Sequence, residues 1–181
     1  MLVEKSEVRA SNEEEDLKFK NVIDKVKKER TTIGGVFQVI AFGVPLGLGS
    51  HTQWDKKIDG KIAQSMISIN AVKGVEIGSG FDGTKLKGSV HNDQFKKDGS
   101  TITNNSGGIQ GGISNGMDII FNVAFKPVST IMKSQKTIDS KGNEVLMEGK
   151  GRHDPCVVPR AVPIVEAMAA LVILDYYLLN K

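Results

Sequence analysis

The chain has 181 residues, 39% of them apolar, enough to build the core of an ordinary domain, and a formal net charge of +3 from 24 Lys and Arg against 21 Asp and Glu. So slight a basic balance does not call for nucleic acid as a partner and leaves anionic small molecules open. The single cysteine, Cys156, rules out an intrachain disulfide and zinc-ribbon spacing and fits a reducing compartment.

The most apolar run, Met168 to Leu174, sits between Glu166 and Asp175, short of the roughly 20 residues that cross a bilayer. Residues 1–20 carry charges throughout instead of an apolar signal-peptide core. The expectation is a cytoplasmic, soluble protein with no membrane partner.

Residues 1–12 are polar and read as frayed or as a strand remnant. Ser11 and Glu14 have capping-box spacing, and Phe19, Val22, Ile23 and Val26 recur at helical intervals, which predicts an amphipathic helix over 13–29. Val36 to Val44, rich in β-branched and aromatic residues and closed by Pro45, predicts a strand covered on both faces, with Gln38 its one polar member. Ile58, Ile62, Met66 and Ile69 form one stripe and predict a helix over 55–69, followed by a short strand over 72–77. From Phe81 to Gly116 the period is lost and Gly, Asn, Asp and Ser dominate. A long loop is expected there, and loops of that length are usually functional. Phe121, Val123 and Phe125 alternate with Asn122, Ala124 and Lys126 in a half-buried strand ending at Pro127. Ser140 to Asn143 reads as the turn of a hairpin. A last helix is expected from Pro163, with Ile164, Met168, Leu171, Val172, Leu178 and Leu179 on one side. Strands and helices mix without regular alternation, which points to an α+β fold with antiparallel sheet and packed helices.

Glycine supplies 20 of the 181 residues, above the roughly 7% average, and bunches at 74–83 and 107–116 without a period, which suggests loops lined by backbone. Gly78-Ser79-Gly80-Phe81-Asp82-Gly83 matches the dinucleotide fingerprint G-x-G-x-x-G after a strand, but residues 84–94 carry no apolar helical stripe, so a glycine-rich turn is the better reading. His51, His91 and His153 lack metal-ligand spacing, and no metal is expected. The densest polar segment runs from Gly149 through Arg152, His153 and Asp154 to Cys156, with Arg160 and Glu166 beyond it. It reads either as an anion and proton-transfer site or as a solvated charged loop. Cys156 is better placed as a packing thiol than as a nucleophile. Lys126-Pro127-Val128-Ser129-Thr130 puts an ammonium and two hydroxyls at a strand end, suited to a phosphate or simply to a strand-ending turn.

Taken in order, Gly34-Gly35-Val36, Pro45-Leu46-Gly47-Leu48-Gly49, Ser68 through Gly78, Asn105-Ser106-Gly107-Gly108-Ile109, Gly111 through Gly116, Lys126-Pro127 and Gly151-Arg152-His153-Asp154-Pro155-Cys156 through Glu166 resemble the C-terminal half of chorismate synthase over about residues 30–180. The resemblance implies a lyase that forms chorismate from 5-enolpyruvylshikimate 3-phosphate, in the shikimate pathway of aromatic amino acid biosynthesis. The reaction is an anti-1,4-elimination of phosphate that uses reduced FMN, and the family is associated with NADPH as well. By the family's motifs, Asn70, Ala71, Gly111, Lys126, Pro127, Val128, Ser129, Thr130 and Arg152 contact FMN, and Asp154 assists proton removal as the catalytic aspartate.

The resemblance further implies a β-α-β sandwich of two antiparallel sheets around helices, in a homotetramer. Residues 1–181 are then one partial domain with a Gly/Asn-rich loop at 81–116, and the family's catalytic histidines belong to the other half of its pattern. A chain that needs that half for activity, with apolar strand edges left open, is the first expectation. A noncatalytic flavin- or anion-binding fragment is the alternative, and a nicotinamide enzyme built on Gly78 to Gly83 the most distant.

Overall fold

The structure, a computed structural model, describes residues 2–180. The described residues contain six α-helices, α1 (Leu2–Lys5), α2 (Glu13–Lys28), α3 (Ile58–Ser68), α4 (Gly80–Gly83), α5 (Gly88–His91) and α6 (Val158–Leu179), and one 3-10 turn over Trp54–Lys56. Seven strands accompany them, β1 (Gly35–Ala41), β2 (Val72–Ile77), β3 (Ile109–Gln110), β4 (Ile113–Ser114), β5 (Ile119–Phe125), β6 (Gln135–Ile138) and β7 (Glu144–Met147). The fold is α+β, as the mixed pattern predicts. The chain divides into two compact units, one of residues 1–35 and 125–162, the other of residues 36–124 and 163–181.

In the first unit α2 starts one residue later than a Ser11 cap would have it. Asn12 is the cap, accepting from the Glu15 amide at 2.9 Å, while the Ser11 hydroxyl donates to the Glu15 carboxylate. Acidic residues 13–16 in the first turn and Lys25, Lys27 and Lys28 in the last complement the helix dipole. Of the predicted apolar stripe only Val26 is buried, and Phe19 and Val22 stay exposed. Periodicity reports a face that can be covered, not what covers it. The first five residues after Met1 include the one-turn helix α1, where a frayed end or strand remnant was expected. β6 and β7 form the expected antiparallel hairpin, pairing Gln135 with Met147 and Ile138 with Glu144. Asp139 shapes its turn by accepting from the Lys141 and Asn143 amides.

In the second unit a three-stranded sheet runs β1-β5-β2. β5, the middle strand, alternates buried and half-buried residues along its whole length and supplies Ile119, Phe121 and Val123, all fully buried. α3 packs against β2 and buries Ile58, Ile62 and Met66, three of the four stripe residues. β1 differs from expectation. Its residues alternate, with Val36, Gln38 and Ile40 facing outward, so one face is open rather than both covered. On that face Gln38 donates to Asn122 Oδ1 and Asn122 to Glu76 Oε2, each at 3.4 Å, a polar row across the three strands.

α6 begins at Val158, not Pro163. Pro159 falls in its first turn, where a missing amide disrupts least, whereas Pro163 lies inside the helix and removes one i→i−4 hydrogen bond. Its buried positions are Ala161, Val162, Val165, Ala169 and Tyr176, whereas Ile164, Leu171, Leu178 and Leu179 are exposed. The predicted stripe fails because this helix is apolar on nearly every side, so periodicity cannot choose a face. At 22 residues it is also long and apolar enough to cross a bilayer by length and composition, which the shorter run at 168–174 did not suggest.

Candidate functional site

Between Phe81 and Gly116, where a long loop was expected, α4 and α5 are single turns and β3 and β4 form a minimal hairpin. The organiser is Asp93, only 8% exposed. Its carboxylate accepts from the Thr103 hydroxyl at 2.6 Å and from the Asn105 and Ser106 amides at 2.8 Å each. Asn104 carries the order onward, accepting from the Gly108 amide at 2.7 Å and donating to Asp118 O at 2.9 Å. The Asn105 side chain donates to His91 O, and the His91 ring meets the Ser79 hydroxyl at 2.9 Å. His91 is thereby a structural residue of the second unit.

Burial pushes the Asp93 carboxyl up, but the Thr103 hydroxyl and the Ser106 and Asn105 amides outweigh it and hold it below the ordinary carboxylate value. A depressed folded-state value contributes stability above the unfolded value of about 3.9, and that stability is lost as pH falls through the folded one. The Asn105 and Ser106 amides should therefore lose hydrogen-exchange protection on acidification below pH ~4. Asp93→Asn should bring about the same loss at neutral pH at a cost of about 1–3 kcal/mol. Amide exchange followed by NMR across pH measures both.

Asp93's hydrogen bonds anchor the entry to the β3–β4 hairpin. Gly111 and Gly112 make its turn, with positive φ at both. Gly112 O accepts from the Ile58 amide at 3.0 Å, fixing the turn to the start of α3. Gly111 is exposed, and a Cβ built on it would meet nothing within 4 Å, so its outer face is open to an incoming group. The Pro45 to Gly49 turn docks on β4 through the buried Ser114 hydroxyl, which accepts from the Leu48 amide and donates to Pro45 O. Between α3 and β2 lie Asn70, exposed, and Ala71, whose φ of +74° is unusual for a residue with a side chain. Such a conformation costs of order 1 kcal/mol and collects at ligand clamps. The Gly78 to Gly83 segment makes no dinucleotide site. α4 is one turn long, and the Gly78 and Ser79 amides are spent on Ile120 O and Asn105 O.

In the first unit, Lys126, Pro127, Ser129 and Thr130 are exposed at the end of β5 and Val128 is half-buried. Thr32 donates to Val128 O at 2.6 Å, pinning the segment to the approach to β1. The Lys126 ammonium meets only the neighbouring Pro127 carbonyl, at 3.2 Å, and no carboxylate lies within ion-pair distance of Lys126 or Arg152 among the described residues. Arg152 and His153 are exposed, with the His153 ring against Lys150 O. Asp154, 31% exposed, accepts from Arg160 at 2.6 Å. Asp154 and Thr130 share a small cavity of about 60 Å³ with Lys27, Arg30, Thr31 and His153. The first unit thus brings two predicted residues to one place beside cations and hydroxyls that the sequence did not single out. Cys156 is half-buried, and burial pushes its thiol up, as suits packing rather than nucleophilic attack.

The chain is similar to known proteins along nearly its whole length. Residues 1–178 match the chorismate synthase family model, so the match extends ahead of Gly34, where the motifs begin. The chorismate synthase of Christiangramia forsetii is 59% identical over 179 residues, which are 99% of this chain and 50% of that protein. That of Flavobacterium psychrophilum is 53% identical over 180 residues, again 99% of this chain and 50% of the relative. A crystal structure of chorismate synthase superposes with a TM-score of 0.81 at 42% identity, over 98% of this chain and 47% of the other. The chain belongs to the chorismate synthase family. It spans about half the length of the relatives it matches.

Proposed function

We propose that the chain is a chorismate synthase portion that contributes the FMN-holding part and one proton-handling carboxylate to the elimination of phosphate from 5-enolpyruvylshikimate 3-phosphate. On this reading residues 1–181 are one partial domain of a cytoplasmic enzyme that assembles as a homotetramer. The reading is carried by family membership together with the Arg152-His153-Asp154 segment, where an exposed guanidinium stands two residues from a half-buried carboxylate.

Each unit, taken by itself, offers groups suited to a flat, phosphorylated cofactor. Gly111 leaves its turn open, and Ala71 holds a strained backbone beside the exposed Asn70. Lys126 and Arg152 are cations without a carboxylate partner among the described residues. In the second unit, Asn70, Ala71 and Gly111 offer an amide side chain and open backbone suited to a flat ring. In the first unit, Lys126 through Thr130 and Arg152 offer an ammonium, two hydroxyls and a guanidinium suited to an anionic group. Reduced FMN, when bound, would supply transient electron density to the elimination, which releases phosphate and a ring proton. Asp154 takes up or passes on that proton through Oδ1, the carboxylate oxygen for which no hydrogen-bond partner stands among the described residues.

Titration of the purified chain into FMN tests the reading. Flavin fluorescence should fall to saturation, and Arg152→Ala should weaken binding about tenfold, the equivalent of one charge-assisted hydrogen bond of about 1.4 kcal/mol. Absence of binding at high protein concentration would overturn a flavin-holding role. Binding without conversion of the enolpyruvyl substrate separates a portion that needs its counterpart from one that turns over alone.

A further inference from the structure

We propose that Arg160 is a positioning residue that orients the Asp154 carboxylate, a role that rests on the reading of Asp154 as the proton-handling group. Arg160 Nη1 donates to Asp154 Oδ2 at 2.6 Å, six residues away across Pro155 and the start of α6. The placement runs against local electrostatics. Arg160 lies in the first turn of α6, the end of a helix where a cation is disfavoured. Its side chain is 76% exposed and free to extend into water, yet it folds back onto the carboxylate.

The backbone around Asp154 is fixed by other means. Pro155 O accepts from the Ile33 amide at 2.8 Å, and Cys156 makes a parallel bridge with Ile33. Val157 O accepts from both the Arg160 and Ala161 amides, closing the first turn of α6. What these bonds leave undetermined is the rotation of the Asp154 side chain, and the guanidinium determines it. Engaging Oδ2 alone leaves Oδ1 to face a reacting group. An exposed ion pair contributes little to folding, so removing it should alter the carboxylate's orientation without unfolding the chain.

The test is NMR of the full 181-residue chain without cofactor, reading the Asp154 χ1 rotamer from three-bond couplings, with amide exchange as a check that the fold is intact. Wild type should show one rotamer, Arg160→Ala should average among the three, and Arg160→Lys should restore a dominant one. A single Asp154 rotamer in Arg160→Ala with the fold intact would overturn the proposal. A second readout follows FMN affinity. Asp154→Asn combined with Arg160→Ala should weaken binding no more than Asp154→Asn alone, because one residue acts through the other, whereas losses that multiply would contradict it. Failure of the chain to bind FMN counts against the flavin reading only, since the rotamer measurement needs no flavin.

Discussion

Replacing Phe121 by alanine is expected to destabilise the second unit by about 3–5 kcal/mol. Phe121 is fully buried at the centre of β5, the strand flanked by β1 on one side and β2 on the other. Ile119 and Val123, its same-face neighbours, are also fully buried, so the cavity left by the ring cannot be filled from the strand itself. At the usual 2–4 °C per kcal/mol for a chain of this length, thermal unfolding should shift by roughly 6–20 °C. Because domains are stable by only about 5–15 kcal/mol in all, a large fraction of the margin disappears. The matched control is Val36→Ala on β1, where the side chain is 64% exposed and the change should lie within about 0.5 kcal/mol. Comparable shifts for the two variants would mean that the outward face of β1 is covered in solution.

How far this architecture can be read from the residues depends on the reach of the interaction involved. β2 is legible to the residue because the pattern has sharp bounds, Asn70-Ala71 before it and Gly78 after. The alternation of β5 is equally plain, since one face goes to the core along the whole strand. α6 is legible as a helix but not as a face, and Pro163 misplaces its start because Pro159 serves the first turn instead. The Asp93 network leaves no periodic trace. Its donors lie ten to thirteen residues downstream and two of them are backbone amides, which every residue type but proline can supply. The site divides the same way. Lys126, Arg152 and Asp154 stand out as chemistry written into two short segments, 126–130 and 149–156. By contrast, the Asp154–Arg160 pair and the approach of Thr130 to Asp154 come from folding a proline-rich turn and docking a strand end.

Gly78 shows why a motif can be matched for a reason other than the one it advertises. A Cβ placed there would lie 2.1 Å from Asn105 O, 2.5 Å from the Gly107 amide nitrogen and 2.7 Å from the Ser106 carbonyl carbon, all of them backbone atoms. Its φ is +59°, where an L-residue with a side chain is strained by about 1–2 kcal/mol before any clash is counted. Overpacking against backbone adds about 1–3 kcal/mol more, so Gly78→Ala should cost about 2–5 kcal/mol. The damage should concentrate where the contact lies. The amides of Ser79, Asn105 and Ser106 should lose exchange protection first, through the Ser79 N to Asn105 O bond of 2.8 Å and the two amide bonds to Asp93. Gly88→Ala is the discriminating partner. Its φ is ordinary, a Cβ there meets nothing within 4 Å, and the change should be neutral or stabilising by up to about 1 kcal/mol. If both alanines prove harmless, close backbone approach is not what Gly78 provides. If only Gly78→Ala opens the 105–108 segment, and FMN affinity falls with it, then the first glycine of the fingerprint supports the Gly111 turn at a distance, without ever touching a phosphate.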